Sequence, residues 1–143
     1  MAQQPNEHRE QRALMNWARM ARVHWPELAL LHAIPNGGHR NGVAAARIKA
    51  EGVRRGVPDL CLPVPRGTHH GLYIELKAGK GRPSREQRWW LAALRAQGYH
   101  AVLCRGWEAA RTVIEDYLTG RADAGSAMPV SHQPPQGAIQ YVQ

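Results

Sequence analysis

Val57-Pro58-Asp59-Leu60-Cys61-Leu62-Pro63-Val64, followed after the loop Pro65–Gly71 by Leu72-Tyr73-Ile74-Glu75-Leu76-Lys77, decides the fold. Both stretches are short, apolar and bounded by proline or glycine, so both read as strands, and together as a hairpin. Successive side chains on a strand alternate between faces. Glu75 and Lys77 therefore project together while Ile74 and Leu76 face the core, and the hairpin brings Asp59 beside Glu75.

Outward from this pair the pattern changes to helical spacing. Downstream, a Gly/Lys loop precedes Ser84-Arg85-Glu86-Gln87, a capping-box pattern opening a helix to about Gln97, which Gly98 ends. His100 to Cys104 reads as another strand and Trp107 to Leu118 as an amphipathic helix. Upstream, residues 7–24 carry Leu14, Trp17, Ala18 and Ala21 at helical spacing and are stopped by Pro26. Leu28 to Ile34 reads as a strand ended by the turn Pro35-Asn36-Gly37-Gly38, and Val43 to Glu51 as a short helix closed by Gly52. The order predicts an α/β fold, a mixed sheet of about four strands flanked by helices on both faces. One domain over residues 1–119 is expected. Residues 120–143, rich in Gly, Ala, Pro and Gln and without periodicity, read as a flexible tail.

Two carboxylates converging on one sheet edge make an oxygen-ligand site suited to a hard divalent cation, Mg²⁺ or Mn²⁺. A lysine beside them can orient or deprotonate an attacking water, or stabilise charge on a phosphoryl oxygen. Each fragment has a plainer reading: an Asp after Pro caps a turn, and Glu-x-Lys on a strand is a solvent-facing pair. Their combination favours chemistry, because the strand is apolar enough to be central and charges on a central strand demand partners.

The formal net charge of +8 and pI of about 10.3 point to a polyanionic partner. Residues 37–56 hold Arg40, Arg47, Lys49, Arg54 and Arg55 against Glu51; residues 77–88 hold Lys77, Lys80, Arg82, Arg85 and Arg88 against Glu86. These two segments carry the whole net charge, so the field is focused. Arg54, Arg55, Lys80 and Arg82 are either contacts to a DNA backbone or simply solvated. Asn36-Gly37-Gly38-His39-Arg40 either presents backbone N–H groups and an arginine to a phosphate or makes a turn. Trp17, Trp89 and Trp90 read as core and interface aromatics rather than base-stacking platforms.

Cys61 and Cys104 are too few and too far apart for a disulfide framework or zinc cage, and the eight histidines lack metal-ligand spacing. No apolar run reaches the roughly 18 residues that span a bilayer. The polar N-terminus lacks a secretory pattern, so a cytoplasmic location is expected.

Pro58-Asp59 followed by Glu75-Leu76-Lys77 resembles the PD-(D/E)xK nuclease signature. The wider order resembles the virus-type replication-repair nuclease, or VRR-NUC, family. The matching stretches are Ile34-Pro35-Asn36-Gly37-Gly38, Glu51-Gly52-Val53, Gly56-Val57-Pro58-Asp59-Leu60, Gly71 to Lys77, Ser84 with Gln87, and Gln97-Gly98-Tyr99. They span roughly residues 7–118. The resemblance implies a restriction-endonuclease-like core and a metal-dependent endonuclease hydrolysing DNA phosphodiester bonds with metal-activated water. It implies that Asp59 and Glu75 bind Mg²⁺ or Mn²⁺ through their side chains, that the Leu76 carbonyl completes the protein ligands, and that Lys77 assists the nucleophilic water. It also implies an acid on the first helix near the metal, for which Glu7 and Glu10 both qualify. Gln87 matches a family position near the active site and is also the N3 residue of the capping box.

Stand-alone members of the family resemble archaeal junction resolvases in fold. That implies a homodimer acting on branched DNA, a Holliday junction or flap, and a phage or prophage gene in a bacterial host. The alternative is a non-catalytic nucleic-acid-binding module using the same basic face.

Overall fold

The computed structural model describes residues 6–35 and 42–123. Asn36 and Arg40, and positions 124–143 of the expected tail, lie outside the described residues. Helix α1 (Glu7–Ala21) begins where the Asn6 side chain accepts a hydrogen bond from the His8 N–H at 2.9 Å, satisfying one of the amides a helix start leaves unpaired. It buries Leu14 and Ala18, as the spacing predicts.

The strand expected over Leu28–Ile34 is a correction. Pro26–Leu30 is a 3₁₀ turn, and of the run only β1 (His32–Ala33) pairs as a strand. The buried residues of this run are Leu28 and Leu31, three apart, while Ala29 and Leu30 between them are exposed. That period is the turn's, not a strand's. Proline at the start presets the backbone for it. Helix α2 (Gly42–Ala50) follows as read and buries none of its residues.

Strands β2 (Leu60–Leu62) and β3 (Leu72–Lys77) form the expected antiparallel hairpin, with Leu60 opposite Ile74 and Leu62 opposite Leu72. Pro58 and Pro63 confine β2, because a proline has no N–H to give the ladder. Helix α3 (Arg85–Ala96) opens with both halves of the capping box formed between Ser84 and Gln87. It crosses over to β4 (His100–Arg105), which pairs parallel with β3, and α4 (Trp107–Leu118) follows. The sheet order β1-β2-β3-β4 makes it mixed and gives β3 a partner on each side.

Alternation on β3 sorts the two faces. Leu72, Ile74 and Leu76 join Leu60 and Leu62 against Leu14 and Ala18 of α1 and Ala110, Ile114 and Tyr117 of α4. Tyr73, Glu75 and Lys77 occupy the other face, where Gln87 of α3 reaches Glu75. Tyr117 is fully buried, and its hydroxyl donates to the Val64 carbonyl at 2.6 Å, tying α4 to the segment after β2. Past α4, a short turn at Arg121–Asp123 packs Ala122 against the core, so the packed chain runs beyond residue 119. Among the described residues no helix is long and apolar enough to cross a membrane.

Replacing Tyr117 by Phe strands the Val64 carbonyl in the interior and is expected to cost about 1–3 kcal/mol in chemical denaturation. An unchanged denaturation midpoint would show that this hydrogen bond does not hold α4 in place.

Candidate active site

Continuing the β2–β3 register past Leu60 and Ile74 sets Asp59 opposite Glu75 and Pro58 opposite Leu76. The ladder stops there. The Leu76 N–H donates instead to the Asp59 carboxylate, Oδ2, at 2.8 Å. Pro58 has no N–H to offer the Leu76 carbonyl. In a strand the N–H and C=O of one residue point to the same side, so that carbonyl is directed towards the side where Asp59 lies. Asp59's own carbonyl is used by the neighbouring strand, accepting from the Ile34 N–H at 2.8 Å. Both the side chain and the backbone of Asp59 are thereby fixed.

Glu75 is only 1% exposed and Lys77 only 7%, the buried charged residues of the described core. Gln87 Nε2 donates to Glu75 Oε1 at 2.7 Å, while Gln87 Oε1 accepts from the Ser84 N–H at 2.7 Å. One side chain thus closes the capping box and holds Glu75. Lys77 Nζ lies 3.5 Å from Glu75 Oε1 and 3.5 Å from Glu7 Oε1. Glu75 Oε2 is buried without a hydrogen-bond partner.

Desolvation, then the charge of Asp59, push the Glu75 carboxyl up to about 8, although Lys77 opposes them. Asp59 is also raised, chiefly by burial, with the Leu76 N–H pulling the other way. With Asp59 half-buried, Glu75 buried and Glu7 close by, the single charge of Lys77 leaves the carboxylates short of positive charge. A divalent cation would supply it, and the oxygens match what a hard cation takes. Among the described residues no three His, Cys, Asp or Glu side chains converge as a metal cage by themselves. Asp59, Glu75 and the Leu76 carbonyl are the oxygens that would hold such an ion here, and their chemistry fits it.

The two acids of α1 are placed differently. Glu7, with a side chain half exposed, stands beside Lys77. Glu10 Oε2 accepts from the Trp107 N–H at 2.8 Å, capping α4, whose own N-cap is Gly106 and offers no side chain. The pairing of Glu10 and Trp107 was missed in the sequence. A helix starting on glycine is a signal that a cap must come from elsewhere, but not from where. Arg54, Arg55, Lys80 and Arg82 are exposed on the connectors flanking the site, apart from the carboxylates. Arg105 was also missed; its guanidinium donates to the Gly79 and Gly81 carbonyls and shapes the loop carrying Lys80 and Arg82. Trp17 packs against the core beneath Arg111, and Trp89 and Trp90 meet edge to face on α3.

Carboxylates at the end of a hairpin, with a lysine two residues on along a central strand, define the PD-(D/E)xK nuclease class. Comparison with known proteins narrows it. The VRR-NUC domain model matches residues 2–108, so the chain belongs to the VRR-NUC family, a family of nuclease domains. A solved structure described as a VRR_NUC domain protein shares the fold with a TM-score of 0.71 and 30% sequence identity, over 82% of this chain and 92% of that one. No curated protein matches.

A carboxyl whose pKa is higher folded than unfolded binds its proton more tightly in the native state. Folding stability therefore falls as pH rises from about 4.5 towards 8. In chelator, Glu75→Gln is expected to melt higher than wild type at pH 8 and to show a weaker pH dependence, the remainder coming from Asp59. Mg²⁺ is expected to raise the melting point of wild type and not of the variant. A variant that melts below wild type in chelator at that pH would show that Glu75 is not destabilising.

Proposed function

We propose that the chain is a divalent-metal-dependent endonuclease that hydrolyses DNA phosphodiester bonds. The observation carrying this reading is the buried, unpartnered Oε2 of Glu75 beside the Asp59 carboxylate. Asp59, Glu75 and the Leu76 carbonyl would hold Mg²⁺ or Mn²⁺, which when bound activates water and offsets charge on the phosphate.

The chain's own residues do the rest. Asp59 is held by the Leu76 N–H and Glu75 by Gln87, so neither carboxylate needs reordering before it acts. Lys77, kept in place by Glu75 and Glu7, offers hydrogen bonds to the attacking water or positive charge to the phosphoryl oxygens. Glu7 is the α1 acid nearest this chemistry, since one oxygen of Glu10 is already engaged by α4. Arg54, Arg55, Lys80 and Arg82 grip the DNA backbone on either side. Preference for branched DNA, a Holliday junction or flap, is supported by the likeness of stand-alone family members to junction resolvases. The same likeness supports action as a homodimer, from a phage or prophage gene.

Fluorescent four-way junction, flap and linear DNA, with a matched RNA, would be incubated with Mg²⁺ or Mn²⁺ and either wild type, Asp59→Ala or Lys77→Ala. Wild type is expected to cut the junction or flap fastest, and each variant to lose on the order of 100-fold or more. Undiminished cleavage by both variants would sink the mechanism. Binding without cleavage of any substrate would favour the non-catalytic module.

A further inference from the structure

Two contacts fasten the connector between α2 and β2 onto α3. The indole N–H of Trp90 donates to the Arg55 carbonyl at 3.1 Å. At the next residue, Gly56 takes φ +89 and lies against the first turn of α3. A Cβ there would stand 2.6 Å from the Glu86 backbone carbon and 2.8 Å from the Gln87 nitrogen, so only glycine fits. Between Gly52, at φ +98, and Gly56 lie Val53, Arg54 and Arg55, all exposed. Neither arginine's guanidinium has a partner among the described residues. The helical turn to which they are fastened is the one whose Gln87 holds Glu75 at 2.7 Å.

We infer that this latch positions the substrate: Trp90 and Gly56 hold Arg54 and Arg55 at a fixed offset from Asp59 and Glu75, so that the two guanidiniums grip DNA phosphates at a set distance from the bond that is cut. The inference rests on the proposed reading of the basic face as DNA-binding. A guanidinium takes a phosphate oxygen pair with two parallel N–H donors, and that geometry rewards a fixed base. On a connector flanked by two glycines, arginines without the latch would have to be ordered at each encounter, at the expense of affinity. Fastening them to the α3 turn orders them beforehand and ties their position to the carboxylate held by the same turn. Trp90 is a positioning residue in this scheme and touches no substrate.

The test is a mutant cycle read by binding. The Kd for fluorescent junction DNA would be measured by anisotropy in chelator for wild type, Trp90→Phe, Arg54→Ala with Arg55→Ala, and all three changes together. Phenylalanine retains a ring beside Trp89 and removes the N–H. Trp90→Phe is expected to weaken binding several-fold and the arginine pair to weaken it more. Because the indole acts through the arginines, the triple variant should be no weaker than the pair. Losing two phosphate contacts should also flatten the dependence of log Kd on log salt by about 1.8. Arg111→Ala, on α4 across the sheet, should leave the affinity unchanged.

Losses that add in the triple variant would overturn the inference, as would wild-type affinity in Trp90→Phe. Should Trp90→Phe fail to fold by thermal melting, the arginine pair decides alone, since it alters only exposed side chains: unchanged affinity and salt slope there overturn the inference. Binding is read without metal, so a chain that passes the cycle yet cuts nothing refutes the nuclease reading and leaves the latch standing. A chain that cuts but shows additive losses refutes the latch alone.

Discussion

A carboxylate placed on a strand with neighbours on both sides has few ways to stay charged, and Glu75 is in that position. Taking an ionised carboxylate out of water costs several kcal/mol unless it is paired. Gln87 and Lys77 meet one of its oxygens. The other oxygen is buried without a hydrogen-bond partner, and the charge of Asp59 across the hairpin disfavours ionising Glu75. The surrounding structure is best understood as what keeps this arrangement from collapsing. Leu72, Ile74 and Leu76, on the opposite face of the same strand, anchor β3 in the core that α1 and α4 cover. One strand thereby carries stability on one face and a stored electrostatic conflict on the other.

The helices bring their N-terminal ends to this conflict. Glu7 in the first turn of α1 faces Lys77, the first turn of α3 supplies Gln87, and the Gly106 N–H ahead of α4 donates to the Lys77 carbonyl at 2.9 Å. Unpaired amides at a helix start carry partial positive charge and favour anions nearby. At the carboxyl ends of the parallel strands β3 and β4 these helix starts offset part of the conflict between the carboxylates without removing it. Glu10 explains why the gathering holds. By capping α4 from α1 it neutralises one of those helix starts and fixes α1, which frees Glu7, one turn earlier, to face Lys77.

Local chemistry was legible in the sequence and distant pairing was not. Strand β3 could be read to the residue because its alternation is unbroken from Leu72 to Lys77, and α3 because Ser84 and Gln87 close their cap within one turn. Asp59, Glu75 and Lys77 could be grouped because a hairpin is the shortest way to join two strands. The run Leu28–Ile34 misled because apolar residues alone do not distinguish a strand from a 3₁₀ turn; burial three apart does, and burial is a tertiary property. The partner of Glu10 lies 97 residues away, and that of Trp90 lies 35 residues away, with no pattern linking either pair. Which α1 acid faces the site was open in the sequence for the same reason: the answer depends on where α4 begins in space.

The position of the site follows from a failure of the backbone ladder. An antiparallel pair satisfies its peptide groups by exchange between opposite residues, and Pro58 cannot take part in that exchange. Were position 58 any other residue, β2 would be able to continue along β3, and the peptide groups of Leu76 would be absorbed into the sheet. With proline there, the Leu76 N–H turns to Asp59 and fixes a carboxylate, while its carbonyl lacks the ladder donor it would otherwise have. The same residue thus ends the strand, orients the first acid and leaves a backbone oxygen near both acids. A proline directly before the aspartate thus has a geometric consequence here, since it withholds the donor that would continue the ladder.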